Sequence, residues 1–151
     1  MRIESFSSIH YCPRMSLMNK PIYQSIQLQS PDKPVLIFVA SRRQCRLTAN
    51  ALISFCALND NPFQFLRECK NSSSESISST AIDLNLVEDP SLKFSLAYGI
   101  TIHHAGLSEN DRMISEHYFS SGMAQIMIST TTLAWGVNFP AHMVIIKGKF
   151  L

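Results

Sequence analysis

Three short stretches of the sequence carry residue types that suit a phosphate group. The first, Ala40-Ser41-Arg42-Arg43-Gln44, directly follows the apolar run Val35 to Val39. A helix opening there would present unpaired backbone N–H groups, beside which Ser41 adds a hydroxyl and Arg42 and Arg43 add positive charge. Taken alone, this loop is explained more simply as a capped surface helix with solvated arginines. The second is His103-His104-Ala105-Gly106-Leu107, where Gly106 permits a sharp turn. Neighbouring residues on a strand point to opposite faces, so the two histidines do not form a metal pair. No acidic or thiol ligand stands at a workable spacing, and no metal site is expected. Ser108, Asp111 and His117 follow, but helix capping accounts for them better than a catalytic triad.

The third stretch runs from Ser129 through Thr130, Thr131 and Thr132 to Ala141 and is the most informative. Its hydroxyls cluster at a strand end. Gly136 allows close backbone approach, Asn138 can hydrogen-bond a ribose or orient backbone, and Pro140 closes the excursion. A hydroxyl-rich turn around a buried Trp135 is the plain alternative.

The elements that must position these loops follow from hydrophobic patterning. Val35 to Val39, Gln125 to Ile128 and Met143 to Ile146 are short runs, apolar at consecutive positions and rich in β-branched residues. Such runs predict strands buried on both faces, as in a parallel sheet, and a further strand is expected to run into His103. After the first run, Leu47, Ala51, Leu52, Phe55 and Cys56 recur at helical spacing, and Ser41 with Gln44 reads as a capping box. Ser108 with Asp111 opens a second helix, which places Ile114 and Tyr118 on one face and stops near Gly122. Strand and helix in alternation give an α/β fold with a parallel sheet, whose ligands bind outside the carboxyl ends of the strands. All three loops leave such ends.

Residues 71–80 form a Ser-rich polar stretch expected to be a surface loop, with an amphipathic helix around Leu92 to Leu96 beyond it. Residues 1–30, interrupted by Pro13 and Pro21, read as an irregular leading segment with a short helix near Tyr23 to Leu28.

Composition limits the partners. The 151 residues suffice for one domain with one core, and a net charge of +2 gives no strong field for nucleic acid. Such a partner must be argued from local sites. Cys12, Cys45, Cys56 and Cys69 show neither disulfide-scaffold nor zinc-knuckle spacing and read as reduced thiols of an intracellular protein. No apolar run spans a bilayer and no secretory segment is visible, so the expected location is nucleus or cytoplasm, with no membrane partner.

The order of the loops resembles a known family. VLIFVASRRQ, then HHAGL with Asp111-Arg112, then STTTLAWGVNFPAHMVIIKG, is similar to motif IV, the HHAGL turn and motif V of Ski2-like superfamily-two helicases. Trp135 and the FPAH string lean towards the large two-cassette members. The segment His10-Tyr11-Cys12-Pro13-Arg14-Met15, with Met18 to Pro21, resembles their second cassette, and the likeness extends from about residue 8 to residue 148. It implies a partial RecA-like (P-loop NTPase-type) helicase C-terminal domain. Residues 1–30 would arrive from the preceding motor domain and residues 31–151 would form a truncated second RecA-like domain. Such enzymes hydrolyse ATP with magnesium between two RecA-like domains and pull a strand 3′ to 5′. Carried over by position, Ser41, Arg42, His104, Gly106 and Thr130 would contact single-stranded nucleic acid, RNA or DNA. Gly136 and Asn138 would face ATP across the cleft. The partners implied are that strand, a first RecA-like domain and downstream helicase domains.

The departures bear on activity. No GxxxxGK[ST] loop and no DExH box occur in these residues, and Lys149-Phe150-Leu151 stands where the family's arginine-bearing motif VI would follow. The expectation is a helicase fragment, not competent for ATP hydrolysis or unwinding alone, with no catalytic residue of its own. A non-catalytic nucleic-acid-binding short isoform and a non-functional truncated product are the competing readings.

Overall fold

The computed structural model describes residues 11–67, 84–130 and 139–148. Its order is α1 (Tyr11–Leu17), α2 (Asn19–Gln29), β1 (Val35–Val39), α3 (Arg42–Leu58), a 3₁₀ turn (Leu84–Leu86), α4 (Pro90–Leu96), β2 (Ile100–His103), α5 (Glu109–Ser120), β3 (Ile126–Thr130) and β4 (Met143–Ile146). The four strands form one sheet in the order β2-β3-β1-β4, and every neighbouring pair is parallel. The α/β fold expected from the apolar runs is the observed one. The Ser-rich stretch 71–80 lies outside the described residues.

The first face of the sheet carries Val35, Ile37, Val39, Ile100, Ile102, Ile126 and Ile128 into the main core, with Ile22 and Ile26 of α2 and Cys45, Ala49 and Leu52 of α3. Leu36 and Met127 on the other face join Phe119 in a smaller cluster, to which Phe38 and Phe139 add. β1 and β3 are thus covered on both faces. β4 differs from the expectation. Val144 and Ile146 are 54% and 64% exposed, while Met143 and Ile145 pack on the main core. β4 pairs only with β1 among the described residues, and the cluster that covers Leu36 and Met127 on the second face does not reach Val144 and Ile146.

Two helices also differ from their sequence reading. α2 is an 11-residue helix, and α1 precedes it. Pro13 and Pro21 each occupy the third position of a helix, where the missing N–H would have had no intrahelical partner. α3 starts at the expected cap, with the Ser41 hydroxyl accepting from the Gln44 N–H at 3.3 Å. Its buried face, however, is Gln44, Cys45, Thr48, Ala49, Leu52, Ile53 and Cys56, and Leu47 is 38% exposed. Two polar residues were drawn inside, and the capping box is not reciprocal.

The cause is Lys147. Its residue is 2% exposed, and its ammonium donates to Asn19 Oδ1 at 2.6 Å, Thr48 Oγ1 at 2.8 Å and Gln44 Oε1 at 3.4 Å. A buried ammonium must find acceptors, and among the described residues no carboxylate provides one. Two residues of α3 and the first residue of α2 turn inward to meet it. Burial pushes the Lys147 ammonium down from its ordinary 10.5 to about 8.

Gly99 marks a place where backbone crosses backbone. It has φ +79°, and a Cβ there would lie 2.1 Å from the Phe65 carbonyl. The chain at 65–67 passes beside it, with the Gln125 N–H donating to Phe65 O and the Arg67 N–H to Met123 O. Gln125 begins one residue before β3 rather than within it. Its buried Nε2 donates to the carbonyls of Ser30, Pro31 and Lys33, which fixes the approach to β1.

Replacing Lys147 with Met should cost about 1–3 kcal/mol, since the acceptors lose their donor. The lowered value of Lys147 also sets a pH sign. Between about 8 and 10.5 the unfolded lysine holds a proton that the folded one has released. Stability from this group therefore rises with pH through that window. Urea denaturation of both proteins at about pH 7 and about pH 9.5 should show wild type gaining on Lys147→Met at the higher pH. Parallel behaviour of the two would contradict the assignment.

Candidate nucleic-acid interface

Because the strands are parallel, their carboxyl ends share one edge, and the register decides what meets there. Val39 of β1 pairs with Thr130 of β3, and His103 of β2 pairs with Ser129. One step further, His104, Thr130 and the Ala40-Ser41 turn stand side by side across three strand ends. Ser41, Arg42, His104, Gly106 and Thr130 are therefore brought to one edge of the sheet. Gly136 and Asn138, assigned above to ATP, lie outside the described residues.

Arg42 and Gly106 meet directly. A Cβ placed on Gly106 would lie 2.5 Å from one terminal guanidinium nitrogen of Arg42 and 2.8 Å from its Cζ. The arginine lies across the glycine of the second loop, so two turns that are distant in sequence come together there. The need for glycine is close approach, since this residue has no left-handed φ. Arg42 is still an exposed residue, so its charge faces solvent.

The Gly106 N–H donates to His104 Nδ1 at 3.1 Å. An Nδ1 that accepts carries no proton, so the neutral ring holds its proton on Nε2. Burial lowers the His104 pKa, Asp89 opposes that shift, and Arg42 adds to it. His104 thus offers one N–H donor without a full charge. The Ser41 hydroxyl already accepts from Gln44 and keeps its own O–H to donate. An arginine, a neutral histidine and a hydroxyl beside the N-terminus of α3 thus place N–H and O–H donors, with no negatively charged acceptor among them, at this edge.

The supports of this edge were less visible in the sequence. Asp111 is 1% exposed, and its two oxygens accept from the N–H groups of Glu88 and Asp89 at 3.0 and 2.9 Å. It fixes the start of α4, where Asp89 caps Leu92. The Ser108 hydroxyl accepts from the Asp111 N–H at 3.2 Å, and His117 is exposed in the last turn of α5. Ser108 caps α5 and Asp111 anchors the start of α4, while His117 lies apart from both. His103 points away from the edge and meets Glu116 at 2.9 Å. Burial lowers its pKa and the Glu116 carboxylate opposes that. Lys147 stands inside the motif V string but received no role from the sequence, where it was marked only by standing directly after an apolar strand. Among the described residues no group of three His, Cys, Asp or Glu side chains could hold a metal ion.

An all-parallel sheet flanked by helices, with loops of this content at its carboxyl edge, is the arrangement of a partial RecA-like helicase domain. No protein-family model matches the chain. It is 50% identical over 148 residues to activating signal cointegrator 1 complex subunit 3 of Danio rerio, covering 98% of this chain and 9% of that protein. It is 52% identical over 149 residues to the RQC trigger complex helicase of Saccharomyces cerevisiae, 98% and 7% of the two chains. A DExH-box ATP-dependent RNA helicase of Arabidopsis thaliana is 49% identical over 148 residues, 98% and 6%. The chain is a homologue of one short segment of these helicases and spans less than a tenth of their length.

Gly106→Ala isolates the edge from the core. The atoms nearest to the added methyl are those of the Arg42 guanidinium, the far end of a flexible side chain. Thermal unfolding should stay within about 0.5 kcal/mol of wild type, while the Arg42 side chain is displaced. A large loss of stability would show that Gly106 serves the fold.

Proposed function

We propose that the chain is part of the second RecA-like motor domain of a Ski2-like, ATP-dependent 3′–5′ helicase. In this reading Ser41, Arg42, His104, Gly106 and Thr130 hold the backbone of a single-stranded nucleic acid. The observation that carries it is the meeting of three loops at one edge, with Arg42 laid over Gly106. Contacts by hydroxyl, imidazole and guanidinium groups to phosphates are indifferent to base sequence, as a motor that moves along a strand requires. The relatives, one of them an RNA helicase by name, support the class.

Gly136 and Asn138 form one wall of the ATP site in this proposal. The triphosphate cradle and the acidic ligands for magnesium belong to a first RecA-like domain, since no GxxxxGK[ST] loop and no DExH box stand in these residues. Residues 1–30 lead in from that domain, downstream helicase domains are further partners, and the location is nucleus or cytoplasm. Among the described residues no helix is long and apolar enough to cross a membrane.

The chain by itself should show no ATP turnover above a mock-purified control. Turnover that mutation of Gly136 or Asn138 abolishes would overturn this. Single strands should bind at the weak end of the ~10⁻⁴–10⁻⁶ M range for non-specific association, weaken with salt and show no base preference. Arg42→Ala should weaken all sequences alike and flatten the salt slope by about one unit in fluorescence anisotropy. Equal slopes for the two proteins would mean that Arg42 is only a solvated helix-start residue.

A further inference from the structure

Lys147 sits on the core side of the same edge. Its three acceptors lie 128, 103 and 99 residues earlier in the chain, in α2 and in the first two turns of α3. Its backbone N–H also donates to Phe38 O at 2.8 Å, extending the pairing of β4 with β1 by one step. The ammonium is therefore held by the sheet and itself holds the start of α3.

Its effect on Arg42 follows from helix geometry. Successive helical residues turn by about 100°, so a residue two positions away projects about 200° round the axis. Gln44 is 3% exposed and points to the ammonium. Arg42 must then project to the opposite side, where Gly106 stands. Thr48, one turn beyond Gln44, accepts from the same ammonium and fixes the rotation at a second point. An apolar stripe alone would allow the helix to rotate by some degrees. Two directed hydrogen bonds to one buried donor do not.

We propose that Lys147 is a positioning residue for the nucleic-acid edge: by fixing the rotation of the first turns of α3, it aims the Arg42 guanidinium over Gly106. The inference rests on the nucleic-acid reading for its consequence but not for its geometry. Lys147 is buried and acts through Gln44 and Thr48.

Two readouts on the whole chain test it. The first needs no nucleic acid. In amide NMR spectra, Lys147→Met should shift the Gly106 resonance, since the guanidinium over it moves. Asn19→Leu, which cuts only the tie to α2, should not. The second is a double-mutant comparison by fluorescence anisotropy with a labelled single strand. Arg42→Ala alone should weaken binding about fivefold, the worth of one exposed charge-assisted contact. Lys147→Met should lose a similar factor and flatten the salt slope, and the double variant should be no weaker than Arg42→Ala alone. Should Lys147→Met fail to fold, Gln44→Met serves, with the same shift and the same non-additivity expected. An unmoved Gly106 amide, an equal shift in Asn19→Leu, or additive losses would each overturn the proposal. If the amide moves as expected but wild type binds no strand, the positioning stands and the nucleic-acid reading falls.

Discussion

Parallel pairing is the constraint on which the rest depends. β1 lies between β3 and β4, and β3 lies between β1 and β2, all running the same way. Parallel strands cannot be joined by tight hairpins, so each return to the sheet needs a long connection. That leaves every carboxyl end on one edge and every exit loop beside the next. The Ala40-Ser41 turn, the His104–Gly106 turn and Thr130 become neighbours for this reason alone, although up to ninety residues separate them. Had one strand run the other way, its loop would have left at the opposite end.

Among the described residues of this sparsely charged chain, two buried ionic groups organise the edge from below. Lys147 gathers amide and hydroxyl oxygens, and Asp111 gathers backbone N–H groups. Neither is paired with an opposite charge in the described residues. A buried charge met only by neutral dipoles is costly to desolvate and tolerates little displacement, because each lost bond leaves a polar group stranded. Such groups specify geometry more than they add stability. One sets the rotation of α3 and the other the start of α4. Between those two helices the donor set of Arg42, His104 and Ser41 is presented without a strong overall field.

Glycines at the two ends of β2 show how a tertiary approach selects a small residue. Gly106 accommodates the Arg42 side chain, and Gly99 accommodates the passing backbone at Phe65. At Gly106 the requirement is not local, whereas Gly99 combines a left-handed φ of +79° with the close approach. The sequence shows a glycine, but what approaches it comes from another part of the chain.

The local chemistry of the sequence determined the elements. β-branched apolar runs became strands, Ser41 and Ser108 became helix caps, and Asp89 with Pro90 opened α4. These follow from dihedral preference and from the unpaired N–H groups of a helix start, which neighbours in sequence can satisfy. The motif order indicated which loops matter. The tertiary structure alone decided which face of α3 is buried, that β4 is an edge strand, and that Arg42 meets Gly106. Each of these depends on a partner about sixty to more than a hundred residues away. Periodicity places polar residues outside, so it could not anticipate Gln44 and Thr48 turning inward. That reversal needs the buried ammonium of Lys147, whose position near them exists only once β4 has paired with β1.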